Sequence, residues 1–398
     1  MQRGITISDR SDRNDGQPDE EQTIPTASFG AGTPGPGGQI GPYKLLSILG
    51  EGGFAVVYLA EQQEPVRRRV ALKVIKPGMD SKQVIARFGA ERQTLALLDH
   101  PNIARVHDGG ATDAGRPYFV MEYVSGLPIT DYCDRQKLSI EQRLELFRSV
   151  CEGIQHAHQK GIIHRDIKPS NVLVHTEGDN AITKIIDFGI AKATIRPLTE
   201  QTLFTEQGRL IGTPEYMGPE QVDNVQDIDT RSDIYSLGVL LYELLTGSLP
   251  FDPKTLRDGG MENFRRVIVE QEPKTPSWRL TSLADQAGPI AQRRGTGVAV
   301  LVKRLRRELE WIPLKAMRKD RSRRYRSAAE LADDIGNYLV GAPLIAGPES
   351  TLYRMGKWVR RRRAIVYAAA VVLVVLVLAA TVSIVFAVRE SRLRTSVD

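Results

Sequence analysis

The run His164-Arg165-Asp166-Ile167-Lys168-Pro169-Ser170-Asn171, followed sixteen residues later by Asp187-Phe188-Gly189, holds the side chains with the clearest chemical meaning. Transfer of a γ-phosphoryl group needs one carboxylate to orient a hydroxyl nucleophile. It also needs an Asn and a second carboxylate to hold magnesium against the phosphate oxygens. Asp166, Asn171 and Asp187 supply those groups in that order. Five fixed letters in the first motif would match by chance somewhere in a chain of this length in roughly one sequence in ten thousand.

The elements around these motifs are expected to be of two kinds. From Tyr43 the chain shows short β-like runs, Tyr43 to Leu49, Ala55 to Glu61, Arg69 to Ile75, Ala104 to Gly109 and Tyr118 to Tyr123. Among them lies one helical stretch, Ser81 to Leu98, with Phe88, Glu91 and Leu95 on one face. Beyond Gly126 the pattern is mostly helical. Ile140 to Gln159 is one helix, and Asp233 to Leu245, apolar nearly all round and stopped by Gly247, belongs in a core. The stretch 286–297 reads as a Gly-rich surface insertion. Leu301, Leu305, Leu309 and Ile312 then mark an amphipathic helix that Pro313 is expected to kink or break.

On these motifs the chain resembles the eukaryotic-like serine/threonine protein kinases, in particular the single-pass membrane type found in bacteria. The resemblance covers about residues 43 to 340 and implies an α+β, bilobal fold. That fold has a small β-rich lobe with one helix (43–124) and a larger helical lobe (125–340). It implies a non-specific serine/threonine protein kinase that uses ATP and Mg2+, with Mn2+ as a substitute. In it Asp166 is the catalytic carboxylate, Lys168 steadies the γ-phosphate, and Asn171 and Asp187 are metal ligands. Lys73, in Val70-Ala71-Leu72-Lys73, meets the α- and β-phosphates and pairs with Glu91. Leu49, Gly50, Glu51, Gly52, Gly53, Phe54 and Ala55 form the glycine-rich loop over the nucleotide, with Ala55 where the family usually has a third Gly. Val57, Ala71 and Leu173 line the adenine pocket, Met121 guards its back, and the backbone at Glu122 and Val124 bonds the adenine edge.

The resemblance also implies switching. Arg165 pairs with a phosphate on an activation segment, Asp187 to Glu220, that contains Thr194, Thr199, Thr202, Thr205 and Thr213. Thr202 and Thr205 are the expected autophosphorylation sites, and Thr213 is expected to contact Asp166 and Lys168. Glu220 is expected in a buried ion pair with Arg324, and Asp233 is expected to hold the catalytic loop.

Composition bounds the rest. At 398 residues and 41% hydrophobic content the chain is long enough for a large core plus tails. Cys133 and Cys151 lie apart with no CxxC partner, which argues against a disulfide framework or a zinc site. His100, His107, His156, His158 and His175 show no metal-ligand spacing. The net charge of +6 comes with no zinc-finger, RNP-like or basic-zipper pattern, so nucleic acid is not an expected partner. Lys303, Arg304, Arg306 and Arg307 read as a solvated helix face, and Trp311 as core.

Residues 1–42, rich in Gly, Pro, Ser, Thr and Asp, are expected to be disordered. Residues 341–363 read as a basic juxtamembrane linker, and 364–388 as a transmembrane helix of 25 uncharged residues followed by a short extracytoplasmic tail, 389–398. At about 1.5 Å per residue that run spans roughly 37 Å, enough for a hydrocarbon core of about 30 Å. Arg354, Lys357 and Arg360 to Arg363 before it outweigh Arg389, Arg392 and Arg394 after it. The kinase-like part is therefore expected on the cytoplasmic side of the cytoplasmic (inner) membrane. Each Arg of the 360–363 block gains about 1 kcal/mol beside anionic lipids. The expected partners are thus ATP, protein substrates, the membrane, and a second copy of the chain in autophosphorylation. A catalytically silent scaffold is disfavoured by the intact set Lys73, Glu91, Asp166, Asn171 and Asp187. A small-molecule phosphotransferase would leave Gly212-Thr213-Pro214-Glu215-Tyr216 unexplained.

Overall fold

The computed structural model describes residues 35–52, 55–78, 82–188, 214–223, 228–257, 260–361 and 363–395, without some helix side chains, Glu91 among them. The smaller lobe is one antiparallel sheet of six strands: β1 (Gln39–Ile40), β2 (Tyr43–Glu51), β3 (Ala55–Gln62), β4 (Arg68–Ile75), β5 (Val106–Ala111) and β6 (Pro117–Glu122), in the order β1-β2-β3-β4-β6-β5. Period-two alternation sends Leu45, Tyr58, Ala60, Val70 and Leu72 into one core beneath the sheet. Helix α1 (Lys82–Leu95) lies on the other side, with Phe88 tilted against Phe119 at 4.9 Å between centroids.

The expectations for this lobe need two adjustments. Strand β1 falls inside the tail expected to be disordered, because Ile40 is buried and Leu45 exchanges backbone hydrogen bonds with Gly37 and Gly38 at 2.9 Å. Helix α1 ends at Leu95 rather than Leu98, and the chain turns there to bury Leu98.

The larger lobe is helical, but the chain just after Gly126 is not. Strands β7 (Leu127–Pro128), β8 (Val172–Glu177) and β9 (Asn180–Ile185) form a second small sheet, which the mostly helical reading overlooked. It carries the two chemical motifs on its ends. Helices α2 (Ile129–Arg135) and α3 (Ile140–Gln159) follow β7, the latter opened by a capping box in which Ser139 and Gln142 bond reciprocally. The helix Arg231–Thr246 runs through the centre with nearly every residue buried, and Gly247, at φ 67°, ends it in the left-handed conformation.

The stretch expected as a surface insertion is only partly at the surface: Gln286, Pro289, Gln292, Arg293, Gly295 and Gly297 are exposed, but one face is internal. Residues Ala287–Gln292 form a helix whose Ala287, Ile290 and Ala291 are buried. Two buried arginines meet there: Arg294 caps the end of the central helix, and Arg143, which also reaches the Leu244 carbonyl at 3.3 Å, ties the segment to the end of α2. Arg294 donates to the carbonyls of Leu244 at 2.9 Å and Leu245 at 2.6 Å, and Arg143 to those of Cys133 and Arg293 at 2.9 and 2.7 Å. Helix C-terminal carbonyls lack intrahelical partners and carry partial negative charge, so a guanidinium suits them.

Leu301, Leu305, Leu309 and Ile312 are all fully buried, as their spacing predicted. The helix breaks upstream of Pro313: Leu305–Leu309 widens into a π turn and a new helix, Trp311–Ala316, starts with Pro313 in its first turn, where a missing N–H costs nothing. Of the basic cluster beside them, Arg304 pairs with Glu141 and donates to the Tyr338 hydroxyl at 3.0 Å, whereas Lys303, Arg306 and Arg307 are exposed. Cys133 and Cys151 are free and buried.

Residues 341–350 pack on the larger lobe, and Thr351–Arg361 is a helix. The last helix, Arg363–Thr395, contains the whole uncharged run. Its described side chains from Tyr367 to Phe386 are exposed, Val371 by 63% and Leu376 by 61%. Among the described residues no helix is long and apolar enough to cross a membrane.

Glu220 and Arg324 form the expected buried ion pair, bidentate at 2.7 and 2.8 Å, with Ser232 also donating to Glu220 at 2.7 Å. Arg324→Met is expected to strand a buried carboxylate and cost about 3–5 kcal/mol, measured by urea unfolding. Glu220→Leu combined with Arg324→Met should cost clearly less than the sum of the two single changes.

Candidate active site

The loop 164–171 joins α3 to β8 and is held from beneath. Asp233, fully buried on the central helix, accepts the backbone N–H of His164 and of Arg165, both at 2.8 Å, and lies 2.7 Å from His158 Nε2. Burial alone would raise its pKa, but the hydrogen bond and charge from His158, with the Arg165 N–H, draw it below the usual carboxylate value. Arg165 is thereby kept at φ 66°, a left-handed conformation costly for a residue with a Cβ. Gln221 secures the next peptide by donating to the Arg165 carbonyl at 3.0 Å.

Asp166, Lys168 and Asn171 converge within this loop. Asn171 Nδ2 donates to the Asp166 carbonyl at 2.8 Å and to its carboxylate Oδ2 at 3.1 Å, and Lys168 Nζ lies 3.0 Å from the same Oδ2. The carboxylate is therefore aimed by two neighbours from its own loop. With the Asn171 amide nitrogen engaged inward, its carbonyl Oδ1 meets only a long bond from the Ser170 hydroxyl, at 3.5 Å, among the bonds of the described residues, and is the oxygen that could face a cation.

His164 ties this loop to the second motif, a role its sequence position did not announce. Its Nδ1 accepts the Asp166 N–H at 3.2 Å, its Nε2 donates to the Ile186 carbonyl at 3.2 Å, and its ring stacks on Phe188 at 4.5 Å. Burial lowers its pKa, which keeps the ring neutral and able to accept at one nitrogen and donate at the other. The only signal in the sequence was its place two residues before Asp166. The Asn171 carbonyl accepts the Ile186 N–H at 2.9 Å, closing the junction between motifs.

Asp187 sits at φ 59°, again left-handed, and Lys73 on β4 reaches across the lobes to its Oδ1 at 2.7 Å. Burial would raise the Asp187 pKa; the Lys73 charge and hydrogen bond, with the charge of Lys168, bring it down instead. Its side chain is still 41% exposed, so the carboxylate stays open to a ligand. Lys73 also lies over the Phe119 ring, 5.5 Å from its centroid.

Beside this pair, Ala71, Met121 and Val124 are buried, Val57 and Leu173 half-buried, and Leu49 46% exposed at the rim. Gly50 pairs with Val57, and Gly52 donates to the Ala55 carbonyl at 2.9 Å. Gly50, Glu51 and Gly52 are exposed, whereas Ala55 is buried. Glu122 is braced from the other lobe by Lys184 at 2.9 Å, a contact with no sequence signal. Nearby, a Cβ on Gly126 would come within 2.6 Å of the Val174 carbonyl, so only Gly permits this crossing between lobes.

Gly53, Phe54, Thr194, Thr199, Thr202, Thr205 and Thr213 lie outside the described residues, as does the Glu91 side chain. Among the described residues no group of three or more His, Cys, Asp and Glu is gathered around a metal position. Magnesium ordinarily takes only one or two carboxylate ligands and keeps water and phosphate oxygens as the rest. The hard oxygens of Asn171 and Asp187, on adjoining strand ends, fit that requirement.

With this geometry in view, comparison with known proteins is specific. The protein kinase domain model matches residues 43–327. The serine/threonine-protein kinase PknB of Mycobacterium leprae is 35% identical over 306 residues, covering 76% of this chain and 43% of that protein. Pkn1 of Myxococcus xanthus, also a serine/threonine-protein kinase, is 38% identical over 222 residues, 55% of this chain and 31% of that one. The chain thus spans less than half the length of these relatives. The crystal structure of the Mycobacterium tuberculosis PknI kinase domain superposes with a TM-score of 0.53 at 25% identity, over 78% of this chain and all of that one.

The buried groups set a pH dependence. The folded pKa of Asp233 is depressed, so its stabilisation is complete above the unfolded value of about 3.9 and is lost as the pH falls through the folded value. His164 is lowered, so the unfolded chain takes up that proton first and stability declines as the pH falls below about 6.5. Urea midpoints measured across this range are expected to fall in these two stages, with Asp233→Asn shrinking the lower one. A midpoint that does not change between about pH 7.5 and 5 would contradict a buried neutral His164.

Proposed function

Because the chain belongs to the protein kinase domain family, we propose that it transfers the γ-phosphate of ATP to Ser and Thr hydroxyls of proteins, from a position anchored in a membrane. The observation that carries the reading is the Asp166 carboxylate, held by Asn171 at 3.1 Å and Lys168 at 3.0 Å in a loop that His164 joins to the Asp187 motif.

In this reading Asp166 receives the substrate hydroxyl as a hydrogen-bond donor, orients its oxygen toward the γ-phosphorus, and accepts its proton. Lys168, already against the carboxylate, balances charge on the transferred group. Lys73 holds the α- and β-phosphates, and its place on a central strand fixes how deeply the nucleotide enters. Val57, Ala71, Met121 and Leu173 exclude water from the adenine, whose edge meets the backbone at Glu122 and Val124. Asn171 and Asp187 would hold magnesium, which when bound supplies positive charge to the phosphate oxygens. Lys168, together with relatives named as serine/threonine-protein kinases, favours Ser and Thr as acceptors.

Arg165 and the threonines of 189–213 support activation by autophosphorylation, with Thr202 and Thr205 as the sites. The membrane anchor is supported by the uncharged run 364–388 lying inside one continuous helix, and by the excess of Arg and Lys before it.

Incubation of the purified chain with radioactive ATP, magnesium and a generic basic protein is expected to label both proteins. Asp166→Asn should lower the rate about 10²- to 10⁴-fold. Chelation should abolish labelling, and added magnesium or manganese should restore it. An inability of the wild-type chain to label itself or any polypeptide would end the catalytic reading. Phosphosite mapping after labelling should find phosphate within 189–213, and an unmodified segment in fully active enzyme would remove the switching proposal.

A further inference from the structure

Composition marks 341–363 as a tether, yet the part before residue 361 is docked. The Asp334 carboxylate accepts the N–H groups of Ile345 at 2.6 Å and Ala346 at 2.9 Å, and Leu344 is buried. From the helix Thr351–Arg361, the Tyr353 hydroxyl accepts the Leu344 N–H at 3.2 Å, and its ring packs edge-on against Trp311 at 5.8 Å. Lys357, one turn on, donates to Glu308, with both side chains close to buried at 12% and 10% exposed. Tyr353 and Lys357 are four residues apart and share the face that meets the lobe.

The other face is apolar and uncovered. Leu352, Met355 and Val359, spaced i, i+3 and i+7, are 73%, 58% and 37% exposed. A helix lying on a soluble domain ordinarily turns its apolar stripe inward; this one turns a Tyr and a Lys inward and its aliphatic residues out. Arg354 is exposed on the helix, and in the sequence the run Arg360 to Arg363 follows directly after the stripe. The uncharged run begins immediately afterwards at Ala364. An aliphatic stripe edged by arginines and continuous with a membrane span matches the boundary between anionic headgroups and acyl chains.

We propose that the helix Thr351–Arg361 is an interfacial helix, lying in the anionic cytoplasmic leaflet with Leu352, Met355 and Val359 among the upper acyl chains. Tyr353 and Lys357 clamp the larger lobe to its opposite face. The bilayer surface then becomes a footing that sets which side of the lobe faces lipid, where a loose tether would leave the lobe free to tumble. The inference rests on reading 364–388 as a membrane span.

The two native cysteines are buried, so a nitroxide on an introduced cysteine reports from one position. Met355→Cys, Leu373→Cys within the span and Asp113→Cys, an exposed turn residue of the smaller lobe, are each made in the full chain. Each is placed in nanodiscs of phosphatidylcholine with or without phosphatidylserine, and collision with a water-soluble nickel chelate is measured. At Met355 the collision rate is expected to be several-fold lower than at Asp113, lower again with phosphatidylserine, and raised by salt. If Leu373 is shielded while Met355 is as accessible as Asp113 in both nanodiscs, the anchor stands and the interfacial helix falls. If Leu373 is itself open to the chelate, the anchor reading falls and this inference with it. Shielding at Met355 that follows protein concentration at constant lipid composition identifies a second copy of the chain as the occupant and overturns the proposal.

Discussion

A single buried carboxylate, Asp233, is the constraint from which the site is built. A charge with no exposed surface is tolerable only when hydrogen bonds and opposite charge surround it. Here the donors are the N–H groups of His164 and Arg165, together with His158. Satisfying Asp233 therefore fixes the first two residues of the loop that carries Asp166, and holds Arg165 in a backbone conformation it would not adopt unaided. The carboxylate stands on a helix in which nearly every residue is buried, so the loop is anchored in the core.

From that loop the order spreads through neutral and charged contacts in turn. His164 links Asp166 to Ile186 and Phe188, and so brings the ends of β8 and β9 into one site. Lys73 then draws Asp187 toward the sheet of the smaller lobe, while Lys184 and Glu122 brace the crossing between lobes. Two non-glycine residues with positive φ, Arg165 and Asp187, stand within this small volume. Strain of that kind persists where the surroundings over-determine the backbone, and such places are commonly sites of function.

Much of this was legible in the chain. Asp166, Asn171 and Asp187 are recognisable because their chemistry needs those side-chain types in a fixed order. The strands of the smaller lobe show through period-two alternation, and the central helix through apolar residues on every side. Glu220 with Arg324 was legible only through the family resemblance, since 104 residues separate them. The segment 286–297 misled because Gly and Arg read as surface residues; Arg294 is in fact buried against the carbonyls ending the central helix, a partner set that no local pattern encodes. Strand β1 was hidden in a Gly- and Pro-rich tail because a two-residue strand carries no periodicity. The second sheet was missed for another reason: β7 is a two-residue strand, and β8 and β9, though as long as β5 and β6, stand in a region of helical patterns.

The amino-acid sequence by itself determined which groups are available for chemistry, the class of fold, and the 25-residue uncharged run near the C-terminus. Each is a local property, set by side-chain type, period or length. Tertiary structure alone decided that His164 joins the two motifs, that Lys73 reaches Asp187, and that the helix Thr351–Arg361 turns Tyr353 and Lys357 toward the lobe and its aliphatic residues away from it. Those outcomes depend on which distant groups come to share a buried space, where low dielectric and close packing make each polar partner compulsory.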